Sequence, residues 1–414
     1  MGTRVVVGLS GGVDSSVSAL LLRSCAQKLN LDVHGVFMHN WDTEGQMCPT
    51  ASRDYQDALK TASQLGIPLS TVNLTKEYWT RVFEPMIESL ENGETPNPDI
   101  GCNRWIKFGA FADLMLNRKP GTEYNQLRAR IMEEIEKCAL SPDPLPLPKP
   151  TSAKWNPTPS ITTLIGTADF IVTGHYARIG LDPILSRPVL KRALDRKKDQ
   201  TYFLSTISHT SLQQTIFPLG NLQKPQVKQI AARNGLDHVS KKRESMGICF
   251  IEPGEKFGDF VGGYIDHRPG NFVTMDGEVV GRHDGVARFT VGQGARISGA
   301  KGKWFVSGKD VDTGNVTVVP GSTHPALYRD SIQVRDWVWI DAQEPTELST
   351  NKSMKGMLKI RHQSEPVPVK FRSSKCLTTE YSVYFEGPQL GIASGQHAAL
   401  YSTNDICLGG GKIK

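Results

Sequence analysis

Apolar positions follow two rhythms along the chain. In the first half, short apolar runs alternate with segments whose apolar residues recur at helical spacing; from Gly270 onward the period shortens to two. Val5-Val6-Val7 stops at Gly8. Leu9, Ser10, Gly11, Gly12, Val13, Asp14 and Ser15 follow, and then Val17, Leu20, Leu21 and Leu22 lie on a helical pattern. This order predicts a strand, a tight turn and a helix. Asp32–Met38 and Leu69–Leu74 read as two more buried strands. Between them a helix over residues 50–65 is closed by Gly66, and Pro68 keeps it from continuing. Tyr78–Leu90 reads as helical, as does the stretch from Cys102 to about Asn117. Two prolines in Thr95-Pro96-Asn97-Pro98-Asp99 stiffen a loop ahead of the latter and argue against helix there. Asp169–Val172 resumes the sheet and runs into a turn at Gly174, and residues 205–239 read as helical. This alternation implies a parallel sheet covered on both faces, hence an α/β class. Ligands of such sheets sit beyond the carboxyl ends of the strands, where the Ser10–Ser15 turn would be.

The second half changes character. Asn271–Val280 is broken by Asp276-Gly277 and Trp304–Val319 by Asp312-Thr313-Gly314, both hairpin signals. Ile332–Ile340, Met357–His362, Val367–Phe371, Tyr381–Phe385 and His397–Tyr401 follow as short alternating runs. Strands of that kind predict a small closed barrel. The Gly409-Gly410-Gly411 tail is expected to be flexible. Residues 118–166 have a texture of their own: a charged helix over Arg118–Cys138, then a proline-bearing loop over Ser141–Pro159, together read as an insertion without catalytic role.

Composition adds limits. The chain has 414 residues, 38% hydrophobic and 22% charged, which fits a packed protein of two to four domains. No apolar run approaches the roughly 20 residues of a membrane span. The net charge of +6 is mild and does not by itself demand a polyanionic partner. The seven cysteines are scattered, without a Cys-x-x-Cys pair, which points away from a zinc ribbon and towards a reducing compartment. The first strand begins within a few residues of Met1, so no targeting peptide is read in this chain.

The candidate chemistry starts at the glycine turn. Its backbone N–H groups and the helix dipole favour an anion. It lacks the Gly-Lys-Ser/Thr ending of the kinase-type phosphate loop. Ser-Gly-Gly-Val-Asp-Ser resembles instead the pyrophosphate loop of enzymes that cleave ATP to AMP and pyrophosphate. Cys102, near a helix start and close to Arg104 and Lys107, is a candidate reactive thiol; the alternative is a buried helix cysteine. His175 reads equally as a structural hydrogen-bonder or a ligand contact. Leu190–Gln200 is the densest basic run and Lys241-Lys242-Arg243 a second; each is either a solvated face or a grip on a phosphate backbone. Cys249, taken alone, reads as a core cysteine.

Taken together and in order, Ser-Gly-Gly-Val-Asp-Ser-Ser, Asn-Pro-Asp-Ile-Gly-Cys-Asn, Thr-Gly-His-Tyr-Ala-Arg, Lys-Asp-Gln-Thr-Tyr-Phe-Leu and Gly-Ile-Cys-Phe-Ile resemble the tRNA-specific 2-thiouridylase family. The resemblance runs from Val5 to about Tyr401 and leaves out the insertion. It implies an adenine nucleotide alpha-hydrolase-like (PP-loop) catalytic domain over 1–204. It also implies a small central tRNA-binding domain over 205–283 and a C-terminal β-barrel over 284–414. By it, Gly8, Leu9, Ser10, Gly11, Gly12, Val13, Asp14 and Ser15 bind ATP, with Met38 and Gly174 on the adenosine side. Magnesium accompanies the ATP, and Asp14 is a candidate to hold the metal or the loop. Asn97, Pro98 and Asp99 surround the target base, with Asp99 the candidate general acid/base. Cys102 matches the nucleophile and Cys249 the persulfide carrier. His175, Lys198, Asp199 and Gln200 fall on tRNA-contacting positions, and so, in the barrel, do Arg361, His362 and Gln396. Gly292-Gln293-Gly294-Ala295-Arg296 departs from the family's Gly-Gln-Arg-Lys-Gly, which puts one barrel contact in doubt.

The implied partners are the anticodon stem-loop of a tRNA, with its wobble uridine, and a protein that donates persulfide sulfur; no membrane is implied. Lys76-Glu77-Tyr78-Trp79 and Glu244-Ser245-Met246-Gly247 look like the mitochondrial branch, which implies the matrix; a bacterial chain would be cytoplasmic. Three alternatives stay open: another AMP-forming enzyme on the same loop, which would have no use for two distant cysteines, a non-catalytic tRNA-binding protein, or a redox sensor built on a Cys102–Cys249 switch, which would need no tRNA.

Overall fold

The computed structural model describes residues 2–43, 45–118, 123–146, 158–182, 186–242, 250–251, 254–265, 269–373 and 379–414. The chain divides into two compact units: residues 1–79, 101–250 and 405–407, and residues 80–100, 251–404 and 408–414.

The first unit is built on five parallel strands: β1 (Thr3–Gly8), β2 (Leu31–His39), β3 (Leu69–Asn73), β4 (Phe170–Val172) and β5 (Thr215–Ile216), in the spatial order β3-β2-β1-β4-β5. Val5, Val6 and Val7 are fully buried in the central strand, as a sheet covered on both faces requires. The winding reverses between β1 and β4, where Val5 faces Phe170 and Val7 faces Val172. That reversal opens a crevice at the carboxyl ends of β1 and β4, the place where such sheets bind ligands. Helix α1 (Val13–Leu29) is buried nearly all round and ends on Asn30 in the left-handed region. Helix α2 (Pro49–Leu65) starts at a proline and stops at Gly66, as the sequence predicts.

Three expectations are corrected in the first half of the chain. Residues 205–239 are not helical throughout: Thr215–Ile216 is the edge strand of the sheet, followed by helix α4 (Lys224–Arg233). Two residues are too short a run to show periodicity. The charged helix, α3 (Glu123–Leu140), is part of the core and not an appendage. Tyr124, Ile131 and Ile135 are buried, and Lys28 of α1 pairs with Glu134 at 2.6 Å. Nor do the prolines exclude helix before Cys102. Pro98 opens a helical turn, Pro98–Gly101, that runs directly into the π-helical stretch Cys102–Phe111. A proline in the first turn lacks only an N–H that would have no helical partner anyway.

In the second unit, residues 270–320 form a five-stranded sheet around Phe272, Val306, Val316 and Val318. Beyond it a barrel closes. Its strands run in the order Tyr328–Trp339, Tyr381–Leu390, Val367–Ser373, Ser353–Lys359, His397–Tyr401 and Ile406–Ile413, and the last pairs back with the first. The glycine tail is therefore the closing strand and not a flexible end. Val338 faces Gly410 and Trp339 faces Gly409. The glycines are there for room: a Cβ on Gly409 would lie 2.3 Å from the Val338 carbonyl oxygen. Because the obstacle is backbone, Gly409→Ala is expected to destabilise the barrel by about 1–3 kcal/mol, read as a lower midpoint in urea unfolding.

Candidate nucleotide and sulfur-transfer site

The Ser10–Ser15 turn is held by its own hydroxyls. Ser15 Oγ donates to the Gly12 carbonyl at 3.1 Å and accepts from the Ser10 N–H at 3.1 Å. That leaves the Ser10 hydroxyl, also 3.1 Å away, as the donor of the third bond to Ser15. Gly11 has φ +68, and a Cβ there would strike the Asp54 carbonyl oxygen at 2.1 Å. Gly12 precedes α1 and offers the first N–H groups of the helix no capping side chain. From the β4 side, Gly174 comes so close that a Cβ would sit 2.7 Å from the Ser15 nitrogen. The Met38 methyl lies beside Gly8, 3.2 Å from where a Cβ on that glycine would be. Gly8 to Ser15, Met38 and Gly174 are thus gathered round one crevice. A glycine turn at a helix entrance is the kind of place where backbone N–H groups bind an anion.

Asp14 is committed to the protein. Both carboxylate oxygens accept from Lys224 Nζ at 2.7 Å, and Oδ1 also accepts from the Tyr176 hydroxyl at 2.9 Å. Lys224 Nζ lies 5.6 Å from the centre of the Tyr176 ring. Of the two roles open to Asp14, these contacts serve the loop. Among the described residues, no group of three or more His, Cys, Asp or Glu side chains could hold a metal ion. Magnesium bound with ATP takes most of its ligands from phosphates and water, so the protein need supply no such group.

Tyr176 is fixed in turn by Gln200, whose Oε1 accepts the Tyr176 N–H at 2.9 Å. Asp199 is fully buried and accepts from the Ala193 N–H, the Thr201 hydroxyl and Arg192 Nε. Arg192 also lies 3.6 Å from Asp405, which takes a second bond from Arg196 at 2.5 Å. The basic run is thus partly an internal network. Gln200 holds the Tyr176 backbone, while Lys197 is exposed and Lys198 half-buried. His175 is buried, bonded through Nδ1 to Thr173 Oγ1 at 2.7 Å and packed against Phe108 and Phe217. Burial, and next the charge of Lys107, hold its pKa well below the usual range, so the ring is neutral at pH 7.

Cys102 is buried on the π-helical stretch with Asn103 and Ile106. Cys249 and Arg243 lie outside the described residues. The described residue after Cys249, Phe250, packs against Trp41 and Tyr78, ring centres 5.4 and 6.3 Å away. In the second unit, Asn97 Oδ1 accepts the Asp99 N–H at 3.1 Å, which caps the turn that Pro98 opens. Arg361 donates to the carbonyls of Leu390 and Gly391, and Gln396 Oε1 accepts the Ala393 N–H at 3.4 Å. His362 is half-buried beside Arg361 in sequence.

Sequence reasoning missed Lys224, and within the basic triplet it did not single out Lys242. Lys242 Nζ donates to the Gly11 carbonyl at 3.1 Å, to Asp54 at 2.7 Å and to Asp57 at 2.5 Å. Burial works against its charge, but the two carboxylates outweigh burial and its pKa stands above the ordinary lysine value. No local motif could have flagged either lysine, because each meets the loop from some 200 positions away.

Three family models match the chain in order. They are the tRNA methyl transferase HUP domain on residues 3–126 and 159–253, the tRNA methyl transferase PRC-barrel domain on 258–320, and the aminomethyltransferase beta-barrel domain on 329–413. The class so defined is a tRNA-modifying enzyme with an N-terminal HUP domain. Among curated relatives, the chain is 37% identical to the mitochondrial tRNA-specific 2-thiouridylase 1 of Gallus gallus, over all of this chain and 92% of that one. It is 38% identical to the Danio rerio protein of the same name, over 99% of this chain and 91% of that one. It is also 38% identical to the tRNA-specific 2-thiouridylase MnmA of Ligilactobacillus salivarius, over 99% and 95%. The chain belongs to the tRNA-specific 2-thiouridylase family, whose enzymes are tRNA sulfurtransferases.

The buried histidines make a pH prediction. His34, bonded to Ser70 Oγ at 3.0 Å, is held down to about 4 by burial. In the unfolded chain a histidine titrates near 6.5. Below that pH the unfolded state takes up protons that the fold refuses. The stability from neutral His34 is thus full above about pH 6.5 and is lost as pH falls towards 4. The slope is at most about 1.4 kcal/mol per pH unit for each such histidine. Urea unfolding between pH 7.5 and 5 is expected to show a shallower decline for His34→Gln than for the parent chain.

Proposed function

We propose that this chain puts sulfur on C2 of the wobble uridine of tRNA, using ATP. The observation that carries the reading is the glycine turn at the reversal of the sheet, in a chain related end to end to enzymes named 2-thiouridylases. A uridine C2 oxygen is a poor leaving group. Attack of that oxygen on the α-phosphorus of ATP expels pyrophosphate and leaves an adenylated base. The donors at the α1 entrance stabilise the charge that develops on the phosphates. Magnesium, expected with ATP, would be held mainly by the phosphates and water.

Sulfur arrives as a persulfide on Cys249, loaded by a donor protein. Its terminal sulfur attacks C2 and AMP departs. The Cys102 thiolate then attacks the inner sulfur, the C2=S bond forms, and a Cys102–Cys249 disulfide is left. Alternatively Cys102 attacks first and frees hydrosulfide, which attacks C2; the disulfide is the same. A dithiol reductant reopens it. Asn97, Pro98 and Asp99 receive the base, flipped from the anticodon stack, with Asp99 moving the proton. His175, being neutral, contributes shape and hydrogen bonding. Lys198, Arg361, His362 and Gln396 meet the tRNA, while Asp199 and Gln200 act by holding their neighbours in place. The compartment proposed is the mitochondrial matrix, on the Lys76–Trp79 and Glu244–Gly247 segments; bacterial relatives at 38% identity keep the cytoplasm as a second reading.

Mass spectrometry of tRNA nucleosides after incubation with ATP and a persulfide donor tests this. The parent chain is expected to form 2-thiouridine and release AMP. Cys102→Ser and Cys249→Ser are expected to lose at least about a hundredfold in yield. AMP release with no thiolated base, or thiolation indifferent to both cysteines, would overturn the reading.

A further inference from the structure

The loop has an electrostatic problem that its own sequence leaves open. A kinase-type loop brings a lysine within its motif to neutralise the outer phosphates, and Ser10–Ser15 has none. The carboxylates of Asp54 and Asp57, on the first turns of α2, stand beside the same loop, and the Asp54 backbone touches Gly11. Unbalanced, two carboxylates there would repel a polyphosphate. One cation meets both of them and the loop together: Lys242, with Gly11 O at 3.1 Å, Asp54 at 2.7 Å and Asp57 at 2.5 Å.

Lys242 is placed there by packing. The turn Asp237–Ser240 just before it is tied to α2 through His238, whose Nε2 lies 3.0 Å from Thr61 Oγ1 and 3.3 Å from the Asp57 carbonyl oxygen. Thr61 lies in turn 3.2 Å from Ser16 Oγ of α1. The Lys242 side chain keeps 31% of its surface exposed, so an incoming anion can reach its charge by replacing one of its three acceptors.

We propose that Lys242 supplies from a distance the lysine that the pyrophosphate loop lacks, and so sets the preference of the crevice for a nucleotide with a β,γ-pyrophosphate over a monophosphate. It offsets one of the two negative charges of Asp54 and Asp57 and so lessens the repulsion that this face of the loop exerts on phosphate. It is a positioning and charge-balancing residue. The proposal rests on the ATP reading above and names which phosphates Lys242 serves.

Calorimetric titration of the full chain with ATP, with AMP, and with inorganic pyrophosphate in competition against ATP tests it. Lys242→Met is expected to weaken ATP and pyrophosphate at least about tenfold while AMP stays within about twofold, because AMP carries no group at that end. Lys242→Arg is expected to keep most of the affinity. Asp57→Asn in the Lys242→Met background is expected to recover part of it, since one repelling charge is gone. A thermal melt of each variant shows whether it is folded. If AMP weakens in step with ATP, or if Lys242→Met leaves the ATP-to-AMP preference unchanged, Lys242 only staples the fold and the proposal fails. A parent chain that binds no ATP at all overturns the functional reading instead.

Discussion

The first unit depends on three stretches of main chain lying closer together than side chains would allow. β1 leads into a turn that α2 touches from one side and the segment after β4 from the other. At Gly11 the neighbour is the Asp54 carbonyl, and at Gly174 it is the Ser15 nitrogen. A Cβ at either point would force an element to shift, further at Gly11 than at Gly174. Backbone N–H groups are short-range ligands, useful only within about 3 Å. The close approach is therefore what makes the strand reversal a binding feature and not merely a topological one.

How much of this could be read in advance follows from where the information lies. The β1–turn–α1 unit is local: a buried β-branched run, a glycine pair and a helical pattern are contiguous, so Gly8 to Ser15 could be placed from sequence. Gly174 was legible for the same reason, at the end of a short apolar strand. The alternating barrel strands showed through their period of two. What was hidden is non-local. The Thr215–Ile216 strand is two residues long and is a strand only because β4 lies beside it. The charges of Glu123–Leu140 masked an apolar face that α1 covers. The Gly409–Gly411 stretch has no side chains to carry a pattern, yet it closes the barrel because the backbone of Val338 and Trp339 leaves no space for any.

The basic run at residues 190–200 shows why counting charges misleads. Arg192 is nearly buried and spent on Asp199 and Asp405, and Asp195 caps the backbone N–H groups of Lys197 and Lys198 and of Lys224. A stretch that looks from sequence like a cationic ribbon is largely a folded knot of paired charges. The knot holds Gln200, Gln200 holds Tyr176, and Tyr176 holds Asp14, so its influence reaches the nucleotide crevice through hydrogen bonds and not through its net charge.

The same logic applies around the glycine turn. Asp14 is matched by Lys224, and Asp54 and Asp57 by Lys242, all within direct contact. Paired charges hold a loop in shape before a ligand arrives, which removes part of the ordering cost of binding. At contact distance oriented N–H dipoles and the Lys242 charge act on an anion where salt screens weakly. A polyanion gripped by exposed lysines is held by counterion release, which salt opposes strongly. One fold can thus bind a nucleotide and a nucleic acid with different sensitivities to ionic strength, because one charge set is turned inward against its partners and the other outward to solvent.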